Sequence, residues 1–337
     1  MTRSPDSPWL IVTSCDDRYL WPWACTVYSA VRNANIPVRV LLANVNGLLS
    51  PQGQKIAKKF LTVLDADGEI VDVSLEVEDI EKYQWNATVF ARLALLDVLN
   101  ERFLWLDSDT ILFNDWTRIF AEAERLMEDD HIVACGISDR SATLDWLRKK
   151  GTNTAFQAAQ SSYINTGIIV VDPLRWRQGG MDREWVDLVA TQSQRGFNFP
   201  DQDVLNYLLA GKLALLPAGF NHIVSEPTNG AELILHFAGS PKPWRLTESG
   251  RALFVATEAA NFRQAKDPMW GNGHAWELFP RYWEVERAVL ATLHEKNQSQ
   301  LARAFLSHRD AQLTTLSTRL RMKFWGIRML SRQLLRH

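Results

Sequence analysis

The chain has 337 residues, with 37 Lys+Arg against 39 Asp+Glu and a formal net charge of −2. Hydrophobic residues make up 46% and charged ones 23%, enough apolar surface to offset the entropy of ordering, so intrinsic disorder is excluded. The balance also argues against a strongly basic nucleic-acid binder, and three cysteines (Cys15, Cys25, Cys135) are too few for a disulfide framework and fit a reducing compartment.

Met1 to Pro8 is polar, and the apolar stretch Trp9–Val12 is too short for a signal sequence. No apolar run reaches the roughly 18 residues of a membrane helix. The expectation is a cytoplasmic chain without a spanning segment. Tryptophan is the one unusual count, at 14.

In chain order, Trp9–Ser14 is an apolar, β-branched run and reads as a buried strand ending in Cys15-Asp16-Asp17. A helix follows from about Trp23 to Asn33, then a strand from Pro37 to Ala43. Ser50-Pro51 opens the next helix, with serine as cap and proline at the first helical position. Asp67-Gly68 reads as a turn before a strand at Glu69–Val73. Thr88–Leu99 has Val89, Leu93, Leu96 and Leu99 at helical spacing, and Arg102–Leu106 is a strand ending in Asp107-Ser108-Asp109. Further strands are expected at His131–Cys135, Thr166–Val171, Leu213–Leu216 and Leu233–Phe237. Asp139–Ser162 is polar and irregular, a loop or a lid, and helices dominate from about Pro280. Strands alternating with helices predict an α/β, Rossmann-like, mixed and mostly parallel sheet flanked by helices, with a helical C-terminal extension.

Open α/β sheets bind ligands beyond the carboxyl ends of their strands. Asp-x-Asp occurs at Asp65/Asp67, Asp107/Asp109 and Asp201/Asp203. The first sits at a turn. The third stands at a helix start, where acids favour the dipole. Only the middle pair directly follows a buried strand, and two carboxylates there would suit Mg2+ or Mn2+.

Five segments in order resemble the glycosyltransferase family 8 proteins: Asp16-Asp-Arg-Tyr19; Phe90-Ala-Arg-Leu93; Phe103-Leu-Trp-Leu-Asp-Ser-Asp109; Tyr163-Ile-Asn-Thr-Gly167 with Asp201-Gln-Asp-Val-Leu-Asn206; and His236-Phe-Ala-Gly-Ser-Pro-Lys-Pro-Trp244. The resemblance is strongest to the bacterial lipopolysaccharide galactosyl- and glucosyltransferases. It implies a GT-A fold and retaining transfer of glucose or galactose from UDP-glucose or UDP-galactose to a glycan or glycolipid acceptor, in lipopolysaccharide or other surface-polysaccharide synthesis. It further implies Asp107, Asp109 and His236 as ligands of Mn2+, or of Mg2+. Asp16 and Tyr19 would hold base and ribose. Arg92, Ser108, Asp139 and Asn165 would hold the donor sugar and diphosphate, although the Asp139 loop is displaced from the family's spacing. Gly239 would let backbone approach phosphate, and Lys242 would add charge to the leaving group. Gln202, a poor nucleophile, and Asp201 would face the anomeric centre, so the implied mechanism is front-face attack rather than double displacement. Two other readings stand beside this one: a glycogenin-like self-glucosylating protein, and a catalytically silent sugar-nucleotide binder.

Residues 312–337 carry six Lys/Arg and no acid, leaving a body of −8. Leu313, Leu316, Leu320, Phe324, Ile327, Leu330 and Leu334 follow helical spacing, with Arg321, Arg328, Arg332 and Arg336 on another face. This reads as an amphipathic basic helix for the inner, anionic membrane face. A helix packed on the acidic body is the alternative. The expected organisation is a catalytic domain at 1–250, a helical region at 251–311 and the tail at 312–337.

Overall fold

A computed structural model describes residues 7–75, 87–127, 133–136 (backbone), 164–191, 199–209, 212–224, 228, 230–239, 242–246, 251 and 275–311. Asp139, the Asp139–Ser162 stretch and the 312–337 tail lie outside the described residues.

Seven strands form one sheet: β1 (Trp9–Ser14), β2 (Val38–Val45), β3 (Asp67–Val73), β4 (Phe103–Leu106), β6 (Val133–Gly136), β7 (Ile168–Val171) and β8 (Leu213–Leu216). Their order is β3-β2-β1-β4-β7-β6-β8. Only β7 runs against its neighbours; every other pairing in this sheet is parallel. Side-chain alternation explains the uninterrupted apolar runs. Leu10, Val12, Phe103, Trp105, Ile169 and Val171 enter the core on one face of the sheet, and Trp9, Ile11, Leu104, Leu106, Ile168 and Val170 pack on the other. A strand covered on both faces has no reason to alternate apolar with polar.

A second sheet of three strands joins β5 (Thr110–Leu112), β10 (Ile234–His236) and β9 (His222–Ile223). β10 pairs antiparallel to β5, opposing His236 to Thr110. This register sets the end of β10 beside the turn that follows β4.

The helices are α1 (Leu20–Arg32), α2 (Pro51–Leu64), α3 (Ala91–Val98), α4 (Arg118–Leu126), α5 (Pro173–Gln178), α6 (Met181–Ala190), α7 (Pro200–Leu208), α8 (Ala275–Glu295) and α9 (299–311). Ser50 caps α2, its hydroxyl accepting from the Gly53 N–H at 3.1 Å with Pro51 in the first turn, as the sequence predicts.

Some boundaries differ from the expectation. α1 begins three residues before Trp23, because Pro22 sits in the first turn, where its missing N–H has no helical partner to lose. Asp67-Gly68 is inside β3, paired with Arg39 and Val40 of β2, and the chain reverses instead at Asp65 with φ 55°. α3 is preceded by a 3-10 turn at Ala87–Phe90, so Thr88–Leu99 is not one α-helix. Thr166 and Gly167 precede the strand rather than belonging to it. Pro280 lies inside α8 rather than at its start. The burial of Leu278, Phe279, Tyr282 and Trp283 in the core with α1 and α2 outweighs the missing backbone bond.

The C-terminal helix pair is bound to the body through a buried carboxylate. Glu286 of α8 accepts from Trp21 Nε1 of α1 at 2.6 Å and from Arg251 at 2.5 Å. Among the described residues, no helix is long and apolar enough to cross a membrane.

Candidate active site

A cleft of about 600 Å3 opens beyond the carboxyl ends of β1 and β4, the place expected for a ligand in an open α/β sheet. β4 leads directly into Asp107, Ser108 and Asp109, and the chain then enters β5. Asp109 O accepts from Phe237 N at 2.9 Å, which fixes the residue after His236 against the acidic turn. Asp107, Asp109 and His236 each offer one ligand atom, and these atoms lie within 4.8 Å of one another. His236 Nε2 is 3.3 Å from Asp109 Oδ1 and 3.7 Å from Asp107 Oδ2. The donor set is one that Mn2+ or Mg2+ takes, with the imidazole favouring Mn2+.

The two carboxylates differ. The Asp109 side chain is 11% exposed and that of Asp107 27%. Lys242 Nζ lies 2.6 Å from Asp109 Oδ2 and also donates to Phe237 O at 2.7 Å. Burial pushes the Asp109 carboxyl up, but the charges and hydrogen bonds of Lys242 and His236 override it and hold it well below the usual carboxylate range. Burial likewise works against the Lys242 ammonium, and Asp109 reverses the balance, so its pKa is raised.

Asp107 Oδ1 is held from the opposite side, by Trp105 Nε1 at 2.8 Å and Arg92 Nη2 at 2.7 Å. Arg92 is 4% exposed; it stacks over the Trp105 ring at 4.7 Å, donates to Thr166 O, and reaches Asp201 Oδ2 at 3.2 Å. Burial raises the Asp201 pKa, Arg92 opposes this, and Asp107 adds to it.

Beside Asp201, Gln202 Oε1 accepts from Asn165 Nδ2 at 2.9 Å and lies 3.4 Å from Thr166 N. Asp203 caps α7 instead, accepting from Phe199 N at 2.9 Å. Ser108 turns its hydroxyl back to Ser14 O at 2.5 Å and ties the two strand ends together.

On the far side, Asp16 accepts from Tyr19 N at 3.0 Å and pairs with Arg18 at 2.7 Å. Tyr19 packs edge-on against Trp244 at 5.6 Å, and burial first, with Asp109 and Asp16 adding, raises its hydroxyl pKa. Gly239 has φ 84°, a left-handed conformation that favours glycine, and open space where a Cβ would stand.

The cleft thus gathers Asp16, Tyr19, Arg92, Asp107, Ser108, Asp109, Asn165, Asp201, Gln202, His236, Gly239 and Lys242, drawn from segments more than 220 residues apart. Asp139 alone among the expected residues lies outside the described ones. Three further residues escaped sequence reasoning. Asn221 Oδ1 lies 3.2 Å from His236 Nδ1, and Arg18 and Arg245 line the cleft. The Arg residues are visible beside the motifs at Asp16 and Lys242, whereas Asn221 has no local signal.

The pattern described as "Glycosyl transferase family 8" matches residues 10–248. The chain is 23% identical over 178 residues to a lipopolysaccharide 1,2-glucosyltransferase of Escherichia coli K12, covering 48% of this chain and 50% of that protein. It is 24% identical over 251 residues to the glycosyltransferase GlyF of Streptococcus pneumoniae, covering 69% and 56%. The chain therefore spans about half the length of these curated relatives. Among solved structures, the galactosyltransferase LgtC in complex with donor and acceptor sugar analogues superposes with a TM-score of 0.57 at 19% identity, over 83% of this chain and 95% of that one. GlyE of S. pneumoniae superposes with a TM-score of 0.56 at 19% identity, over 87% and 64%. The architecture is the GT-A fold of these neighbours.

Proposed function

Because the chain belongs to glycosyl transferase family 8, we propose that its cleft moves glucose or galactose from a UDP-sugar to a glycan or glycolipid acceptor of surface-polysaccharide or lipopolysaccharide synthesis, with retention of anomeric configuration. The observation that carries this reading is the convergence of Asp107, Asp109 and His236 on a cleft that also holds Arg92 and Lys242. Acids and an imidazole on one wall, with cations beside them, match a divalent cation plus a diphosphate.

Asp107, Asp109 and His236 would hold Mn2+, or Mg2+, whose chemistry when bound is Lewis-acid stabilisation of the leaving diphosphate. The other steps belong to the chain's own side chains. Lys242 adds a positive charge where the sugar–phosphate bond breaks, and Gly239 leaves the backbone bare for close approach. Asp16 accepts hydrogen bonds from base or ribose, and Tyr19 offers a ring face to uracil. Arg92, Ser108 and Asn165 orient the sugar and diphosphate, and Asp201 receives sugar hydroxyls.

By the family resemblance, Gln202 would face the anomeric carbon, where double displacement needs a nucleophile. It is a neutral amide whose oxygen is engaged by Asn165, and this favours front-face transfer. In that step the bond from the anomeric carbon to the diphosphate oxygen breaks. A bond to the acceptor hydroxyl oxygen forms on the same face, and the hydroxyl proton passes to the departing phosphate oxygen. The products are UDP and the glycosylated acceptor.

The same reading assigns catalysis to residues 1–250 and a supporting role to the helices within 251–311. The basic segment 312–337, with six cations and no acid, is assigned to an anionic membrane surface on the cytoplasmic side.

The test is UDP release from UDP-glucose and UDP-galactose by the full chain with Mn2+, Mg2+ or EDTA, with the released sugar's anomer read by NMR. Metal-dependent release with the donor's anomeric configuration is expected. No release from either donor with either metal would overturn the reading. A mass increase of the protein itself by whole hexose units would favour self-glucosylation instead.

A further inference from the structure

Four carboxylates and four cations line the cleft. Three of the cations are already engaged: Arg18 by Asp16, Lys242 by Asp109, and Arg92 by both Asp107 and Asp201. Because Arg92 takes two acids, Arg245 is left over. Among the described residues its guanidinium has no ion pair, and its Nε is fully buried with no hydrogen-bond partner. A buried N–H of a charged group left without a partner carries a desolvation cost that a surface arginine free in water does not, and an anionic ligand in the cleft would offset it.

The backbone aims it. Arg245 ends the 3-10 turn Pro243–Arg245, whose Arg245 N–H bonds to Lys242 O at 3.1 Å. Trp283 Nε1 of α8 donates to Pro243 O at 3.1 Å and braces the turn from behind. Arg245 is therefore fixed one turn beyond Lys242 in the wall of the cleft, and like Lys242, though more weakly, its charge acts on the Tyr19 hydroxyl.

We propose that Arg245 is a further cationic contact for the donor's diphosphate, beside Lys242. The proposal rests on the UDP-sugar reading above. A planar guanidinium suits this task because it can meet two phosphate oxygens at once, and, unlike Lys242, it need not first give up a carboxylate.

The experiment is calorimetric titration of the full chain, with Mn2+ present, by UDP directly and by uridine in competition, for the wild type, Arg245→Gln and Arg245→Lys. Arg245→Gln should weaken UDP by about 10- to 100-fold, the range for a hydrogen bond to a charged group, and leave uridine unchanged. Arg245→Lys should recover part of the loss, and raised salt should narrow the gap between variants. Equal UDP affinity in wild type and Arg245→Gln would overturn the proposal. A parallel loss of uridine would overturn it too, since that marks a role in shaping the nucleoside pocket. A wild type that binds neither ligand removes the UDP-sugar reading itself, a result separate from either.

Discussion

The imidazole Nδ1 of His236 lies 3.2 Å from Oδ1 of Asn221, and both side chains are buried. Asn221 has no freedom to turn its amide over, because its Nδ2 donates to the main-chain and side-chain oxygens of Asn165 at 3.2 Å. Its oxygen therefore faces the ring and accepts from Nδ1–H, which holds the ring with Nε2 turned toward Asp107 and Asp109. Partners of this kind typically change metal affinity by about 10- to 100-fold when removed. Asn221→Leu should weaken Mn2+ binding by that factor, measured by the electron paramagnetic resonance signal of free Mn2+ during titration. Unchanged affinity would show that the ring is held by packing alone.

Gly167 makes a sharper case. A Cβ there would stand 2.2 Å from His236 Cε1 and 2.8 Å from Asp107 Oδ2. Neither can retreat: His236 is held by Asn221, and Asp107 by Trp105 and Arg92. Gly167→Ala should abolish Mn2+ binding and reduce donor turnover by more than about 100-fold, because an ångström of misplacement is enough for that. Far-UV circular dichroism should be unchanged. Retained turnover would mean that the His236 and Asp107 arrangement is not needed.

The central strands were readable because both of their faces are covered: Phe103–Leu106 is apolar throughout, and a buried strand that stops at Asp107 marks a sheet edge without further help. The Ser50-Pro51 start is a local signal and was equally plain. The small second sheet was not, since β5 and β10 pair across some 120 residues and neither carries a pattern that names its partner. Asn221 is invisible for the same reason. Asp67-Gly68 misled because its dipeptide preference is overridden by pairing with β2. Buried tryptophans serve packing, as where Trp23 lies against Phe60, and polar use of the indole, as where Trp105 holds Asp107 and Trp21 holds Glu286.

Glu286 is 2% exposed and serves two donors from distant parts of the chain, Trp21 and Arg251. Its replacement by alanine strands a buried indole N–H and a guanidinium that also stacks on Trp283 at 5.0 Å. Breaking a buried pair from one side costs about 3–5 kcal/mol. Glu286→Ala should lower stability by that amount in urea titration followed by tryptophan fluorescence, whereas Glu286→Gln, which keeps an acceptor for Trp21, should lose less. Equal losses would assign the stability to charge rather than to the indole bond.

Asp201 gives a pH dependence whose sign can be fixed in advance. Its native pKa is raised, by burial first, against Arg92, which pulls it down. The unfolded value is about 3.9. Between that value and the native one the folded state binds the proton more tightly, so stability falls as pH rises through this window. Asp201→Asn has no proton to release. Thermal midpoints of wild type and variant should be similar near pH 4, and the variant should gain steadily on the wild type as pH rises. Its turnover should fall at every pH, because the amide offers Arg92 no charge and the donor sugar one acceptor fewer. A wild type that gains on the variant with rising pH would mean that the 3.2 Å contact with Arg92 outweighs the cost of burying the carboxylate.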